Sequence, residues 1–387
     1  MRCRTRPGAR RPWGWLMLGA VLSCPLTGTV AEAKAAGYEY FAAGDPAAQV
    51  VPKTSPGLLL MGGGREIDDA FKWFAVQAGH GHIVILRASG GDALQEYLYH
   101  DVGGVASVET LVFHSRAAAG DPHVLAVVRH ADGIFIAGGD QANYVNFWKG
   151  TPLNDALNAH VRAGKPIGGT SAGLAILGQW SYGALDGGSI TSEQALRDPD
   201  GAAVTLVDRF LDLPLLAHTI TDTHFAQRGR LGRLLAFVAR LAKAQHTAAI
   251  CGLGVDQDSA LLVDPDGEAR LLSRDSEGHA WVVIPERLRE VERAGGREAL
   301  DRYLRDRVAP GKPLDLPGFV VIGVGTRSGL RLPSCAVSGA AFRRRIDVHG
   351  GRLVGHDTLP ATTGGASGAG PGPASGDHPG FSMRGAW

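Results

Sequence analysis

Neither sign of charge dominates this chain: 39 Lys and Arg stand against 38 Asp and Glu in 387 residues, a formal net charge of +1. That balance excludes the basic excess that carries nucleic-acid binding. Long apolar runs are missing too. None reaches the roughly 20 residues of a membrane span, so no integral span is expected. Cysteine is scarce, with Cys3, Cys24, Cys251 and Cys335 the full set, and none has metal-ligand spacing. No repeat of fixed period is present. Gly62-Gly63-Gly64-Arg65 fits neither the P-loop nor the dinucleotide fingerprint, so no nucleotide is expected there. Apolar residues, by contrast, make up 44% and charged residues 20%, enough for a globular core.

Residues 1–33 read as an export signal. Arg2, Arg4, Arg6, Arg10 and Arg11 precede a short apolar stretch at 13–26, and small residues follow up to Ala31-Glu32-Ala33. Export would be periplasmic or extracellular. Two variants stay open: lipoprotein anchoring through Cys24, in Val21-Leu22-Ser23-Cys24, and a twin-arginine signal at Arg10-Arg11. Of the cysteines only Cys251 and Cys335 survive cleavage. They either pair or stay as two buried thiols, the simpler reading. Residues 34–56 read as a linker. Residues 359–387, rich in Gly, Pro and Ser, read as a disordered tail.

Between the ends, strands and helices alternate. Leu58-Leu59-Leu60-Met61, His82-Ile83-Val84-Ile85-Leu86, the run at 107–113, Gly133-Ile134-Phe135-Ile136-Ala137 and Pro166-Ile167-Gly168-Gly169 read as strands. Helical patterns fall at 68–77, 144–161 and 230–244. Continuous apolar strands separated by helices predict a parallel sheet covered on both faces. This gives an α/β catalytic domain over residues 57–263. From Asp264-Pro265-Asp266-Gly267 onward the pattern turns to short antiparallel strands, a smaller β-rich extension over 264–358 packing on the domain, with no chemical signal of its own.

In such sheets, ligands gather at the carboxyl ends of the strands. There the chain carries Gly169-Thr170-Ser171-Ala172-Gly173, a G-x-S-x-G sequence between a strand and a helix-forming run, the context of a nucleophile elbow. Ser171 is the candidate nucleophile, with the Ala172 N–H as an oxyanion donor. The best base is His224, in Asp222-Thr223-His224-Phe225, with His218 as its near rival. The orienting carboxylate is left between Glu193 and Asp186; Asp222 lies too close in sequence to His224 to be preferred. Arg228, Arg230 and Arg233 suit a carboxylate-binding cluster. In Gly138-Gly139-Asp140-Gln141, the Gly139 N–H is a second oxyanion donor and Gln141 a substrate hydrogen-bonding group.

Taken in order, these blocks and Gly252-Leu253-Gly254-Val255-Asp256-Gln257-Asp258-Ser259-Ala260 resemble cyanophycinase and its relatives, the serine-peptidase family that also contains the aspartyl dipeptidase. The similarity runs from about residue 58 to about residue 263. It implies a three-layer α/β/α sandwich with a mostly parallel sheet, of the class I glutamine-amidotransferase-like type. It implies serine-dependent hydrolysis with no metal or organic cofactor. Carried over by position, Ser171 is the nucleophile, His224 its base, and Glu193 sits where the acidic member is expected. Gln141, Asp222, Thr223, Arg228, Arg230 and Arg233 fall on the substrate-pocket positions. Thr223 departs from the family's Asp-Gln-His-Phe, which bears on the substrate more than on the reaction. The resemblance implies exopeptidase-like release of β-Asp-Arg dipeptides from cyanophycin, a poly-aspartate carrying arginine through isopeptide links. An aspartyl or isoaspartyl dipeptidase and a catalytically silent binding relative are the rival readings. A homodimer is left open.

Overall fold

The computed structural model describes residues 37–356. The expected export signal, Cys24 and the expected tail at 359–387 lie outside the described residues. Ten strands form a first sheet. They are β1 (Tyr38–Gly44), β2 (Leu58–Met61), β3 (His82–Arg87), β4 (Ser107–Phe113), β5 (Gly133–Ile136), β6 (Ile167–Thr170), β11 (Ser259–Val263), β12 (Glu268–Ser273), β15 (Gly329–Arg331) and β16 (Ala336–Ser338). Their order is β1-β4-β3-β5-β6-β2-β11-β12-β15-β16. Eight more form a second sheet: β7 (Trp180–Tyr182), β8 (Leu206–Asp208), β9 (Thr219–Asp222), β10 (Cys251–Val255), β13 (Ala280–Ile284), β14 (Leu316–Val324), β17 (Phe342–His349) and β18 (Arg352–His356). Its order is β18-β17-β14-β13-β10-β9-β7-β8.

The fold is α/β with mixed sheets. The expected mostly parallel sheet is found only in part. Parallel pairing holds β4-β3-β5-β6-β2 together in the first sheet and β7-β9-β10 in the second. β11 then adds antiparallel to β2, and β13 antiparallel to β10. The reason lies in connection length. Helical crossovers return the chain parallel, whereas short turns permit only antiparallel neighbours. After β10 the chain changes sheets through the three residues Asp256-Gln257-Asp258, and its later strands lengthen both sheets.

Strands buried on both faces explain the near-continuous apolar runs. In β2, Leu58 and Leu60 face one core cluster, Leu59 and Met61 another. On the second of these faces lies α1 (Asp68–Gln77), whose Phe71 and Phe74 rings meet Phe135 edge-on. The opposite face carries α2 (Pro122–His130), α3 (Gln141–Trp148), α4 (Pro152–Arg162) and the inner face of the second sheet, through Leu253, Val255, Val282 and Ile322. The outer face of the second sheet packs Ile220, Val283 and Val321 beneath the later helix Leu231–Gln245.

The single helix expected over 144–161 is two. Gly150 has φ +66, and Thr151 accepts the Asn154 N–H ahead of Pro152, so the first helix ends and a capped second one begins. Cys251 and Cys335 are disulfide-bonded, with Cα atoms 6.6 Å apart. The bond ties β10 of the second sheet to the β15–β16 turn of the first, so the two-thiol reading gives way. Among the described residues, no helix is long and apolar enough to cross a membrane.

Candidate active site

Ser171 follows β6 directly and precedes α5 (Ala172–Ala175). Its backbone sits at φ 53, ψ −119, a region L-residues rarely occupy. The strain therefore belongs to the serine itself, and the flanking glycines serve close approach. A Cβ on Gly173 would lie 2.0 Å from the Ile136 carbonyl oxygen, and one on Gly169 2.6 Å from the Gly173 carbonyl carbon. Only with both absent can the elbow press against β5 and raise the hydroxyl above the sheet.

His224 follows β9, the neighbour of β10. Its N–H is held by the Gly62 carbonyl at 2.8 Å. Its Nε2 lies 2.7 Å from Ser171 Oγ. Gly63, at φ +98, lies flat against the ring: a Cβ there would be 2.3 Å from His224 Cε1. The triple-glycine loop is thus a bed for the imidazole. His218, the rival base, is exposed and lies at the other end of β9. Burial pushes His224 down to about 4, and the cations of Arg228, Arg230 and Arg233 push the same way, with Asp222 opposing them.

The residue against His224 Nδ1 is Gln257, whose amide nitrogen lies 2.6 Å away. Its backbone N–H is bonded to Gln227 Oε1 at 2.9 Å. The two flanking carboxylates are engaged elsewhere. Asp256 accepts from the Ala226 and His279 backbone N–H groups and from Trp281 Nε1, at 2.8, 3.0 and 3.0 Å; burial nonetheless pushes its carboxyl upward. Asp258 is gripped by the Arg65 guanidinium at 2.7 and 3.0 Å and by its backbone N–H at 2.6 Å.

The structure does not bring Glu193 to His224. Thr191 and Gln194 form a capping box at the start of α6 (Ser192–Arg197), which turns Glu193 outward. Its side chain is 78% exposed and pairs with Arg197 one turn on. Asp186 is exposed in a turn before this helix. Neither carboxylate orients the imidazole.

The arginine cluster divides. The helix after it, α7 (Leu231–Gln245), starts beyond Arg230. Arg233 is buried and grips both oxygens of buried Asp222, and it also bonds Ser189 Oγ. Arg230, also buried, donates to Asp222, the Thr223 carbonyl and Thr223 Oγ1 at 3.3, 2.7 and 3.1 Å. Burial lowers its pKa to about 10 despite Asp222. Asp222, Thr223, Arg230 and Arg233 are therefore tied into one buried brace beside His224, and the expectation that they face substrate is corrected for all four. Arg228 is exposed, and among the described residues nothing holds its guanidinium.

On the other side of Ser171, Gly138 backs the serine: a Cβ there would lie 3.4 Å from Ser171 Cβ. Tyr144 fixes this loop by donating to the Ala137 and Gly138 carbonyls at 2.9 Å. Gly139 follows, and Gln141 opens α3 with its amide 3.5 Å from the Tyr182 carbonyl. Ala172, next to the serine, is 3% exposed. Among the described residues, no three His, Cys, Asp or Glu side chains gather as a metal site.

Comparison with known proteins adds the lineage. The model of peptidase family S51 matches residues 88–270. A cyanophycinase of Synechococcus elongatus is 36% identical over 192 residues, 49% of this chain and 53% of that protein. One of Trichormus variabilis is 29% identical over 186 residues, 48% of this chain and 56% of that protein. The chain thus spans about half the length of the curated relatives it matches. A solved peptidase from an acI-B1 Actinobacterium is 14% identical, with a TM-score of 0.43 over 58% of this chain and 90% of that one. Residues 88–270, which hold Ser171, His224 and Gln257, are thus similar to peptidase family S51.

Proposed function

We propose that the protein is a serine peptidase acting on cyanophycin, cutting its aspartyl backbone to β-Asp-Arg through an acyl-enzyme. The observation that carries this reading is Ser171 Oγ within 2.7 Å of His224 Nε2, at a strained turn between strand and helix. His224 takes the hydroxyl proton as Oγ attacks the carbonyl carbon. The N–H groups of Ala172 and Gly139 receive the oxyanion. His224 then gives its proton to the leaving amine, and water, deprotonated in turn, releases the acyl group. Arg228 is free to grip a substrate carboxylate, and Gln141 to hydrogen-bond substrate from the other side of Ser171.

The matching cyanophycinases support the substrate. Arg230 and Arg233 are taken up by Asp222, which leaves a single guanidinium. That also suits a short aspartyl peptide with one carboxylate, the second reading. The parallel run β4-β3-β5-β6-β2, with helices on both faces, supports a glutamine-amidotransferase-like three-layer reading of residues 57–263. Export is proposed as well. The disulfide supports it, since such bonds persist in oxidising compartments.

Incubating the purified protein with cyanophycin and identifying the products by mass tests the proposal. β-Asp-Arg should accumulate, and Ser171→Ala should lower kcat by several orders of magnitude. Cleavage of short Asp-X peptides with the polymer left intact would favour the second reading. Near-normal turnover by Ser171→Ala would end both.

A further inference from the structure

A histidine that accepts a proton at Nε2 must carry its own proton on Nδ1, so a group that accepts must face Nδ1. In serine hydrolases that group is usually a carboxylate, which also steadies the imidazolium as it forms. Around His224 every candidate carboxylate is engaged elsewhere. Asp222 is held by Arg230 and Arg233, Asp256 by three N–H donors, and Asp258 by Arg65. The position facing Nδ1 belongs to the neutral amide of Gln257.

An amide has two faces. With its nitrogen toward Nδ1, it would donate there and leave the ring proton on Nε2, where the ring could not accept from Ser171. A half-turn of the amide puts Oε1 in the same place as an acceptor. We propose that Gln257 is the positioning residue of His224, its Oε1 accepting the Nδ1–H, and that the Ser171–His224–Gln257 relay works without a carboxylate. This rests on the reading of Ser171 and His224 as an acylating pair.

Two things follow from a neutral partner. The imidazolium formed during attack lacks an adjacent anion. The charged groups that act on the ring are Arg228 and Arg230 on its own loop, Arg233 on α7, and Asp222 on β9; the β10–β11 loop meets it with the Gln257 amide, while Asp256 and Asp258 of that loop are held by other partners. Burial first, and then cations that outnumber the single carboxylate, keep His224 unprotonated and able to accept well into the acid range. The relay gives up imidazolium stabilisation and gains a base that works at low pH.

The test is the rate at which a fluorophosphonate labels Ser171, measured from about pH 3 to about pH 8 for wild type, Gln257→Glu, Gln257→Met and Gln257→Ala. Nitrogen-15 histidine NMR of the same proteins reads the tautomer. Wild type should show protonated Nδ1 at neutral pH and an acid limb near pH 4. Gln257→Glu should keep labelling and move that limb upward by about one pH unit or more. Gln257→Met keeps the length but cannot accept, and like Gln257→Ala it should label at least ~10-fold more slowly.

Wild-type labelling rates and an unmoved limb in Gln257→Met and Gln257→Glu would overturn the proposal, as would an Nε2-protonated ring in wild type. A wild type that the probe does not label would overturn it together with the base assignment. A wild type that labels as described yet leaves cyanophycin intact would sink only the substrate reading.

Discussion

Arg233 grips Asp222 through two parallel hydrogen bonds of 2.5 and 2.7 Å, and each side chain is 2% exposed. Arg230 joins the pair, donating to Asp222 Oδ1 at 3.3 Å. Removing one member leaves a buried charge without its partner, which typically costs about 3–5 kcal/mol. Asp222→Ala and Arg233→Ala should therefore lower the urea midpoint strongly. A substrate-contact role would instead raise KM and leave the unfolding midpoint in place.

Gly63 has no side chain because His224 occupies the space where one would be. Gly63→Ala must move the imidazole away from Ser171 Oγ, and its φ of +98 adds backbone strain. A displacement of about 1 Å commonly costs on the order of 10²-fold in rate. Steady-state kinetics should show kcat falling by that order while the circular dichroism of the fold persists. Unchanged kcat would mean that the ring has room the structure does not show.

On the proposed function, Arg228 is the guanidinium left for substrate. Arg228→Ala should raise KM with stability within about 0.5 kcal/mol of wild type, as for an exposed residue without partners. Arg228 is also the first-ranked cation holding His224 down. Its removal should thus move the acid limb of kcat/KM upward in pH. A variant with wild-type KM and an unmoved limb would place Arg228 away from the site.

His160 is 5% exposed and bonded through Nε2 to the Pro166 carbonyl at 2.9 Å. Burial pushes it from 6.5 down to about 4. A histidine lowered on folding makes no difference to stability above its unfolded pKa, where both states are neutral. As pH falls from about 6.5 to about 4 the unfolded chain binds the proton first, so stability drops, by about 3 kcal/mol for this one group. Urea midpoints at pH 7 and pH 4.5 should show that fall, and His160→Gln should reduce it. An equal fall in the variant would assign the acid sensitivity to other groups.

Ser171 was readable because its chemistry is local: a strand, a tight G-x-S-x-G turn and a helix follow one another within a dozen residues. His224 is legible from its surroundings, and Asp222, two residues before it, is held by Arg230 and Arg233. Glu193 lies between Ser171 and His224 in chain order, which alone makes it look like the acidic partner. Yet the capping box Thr191-Ser192-Glu193-Gln194 was present and turns that residue outward. Spacing could not separate the three arginines. Arg230 and Arg233 turn inward to Asp222, while Arg228 stays outside.

Local order in the chain was enough to specify the alternating strands and helices, the elbow, and the serine and histidine that meet at 2.7 Å, because periodicity and turn chemistry act over a few positions. Which group meets the far side of His224 was decided only in three dimensions. Gln257 lies 33 residues further along the chain. It reaches Nδ1 because β10 runs parallel beside β9 and the chain then leaves one sheet for the other through Asp256-Gln257-Asp258. No short-range pattern records that crossing, since it depends on how two sheets pack against a shared core.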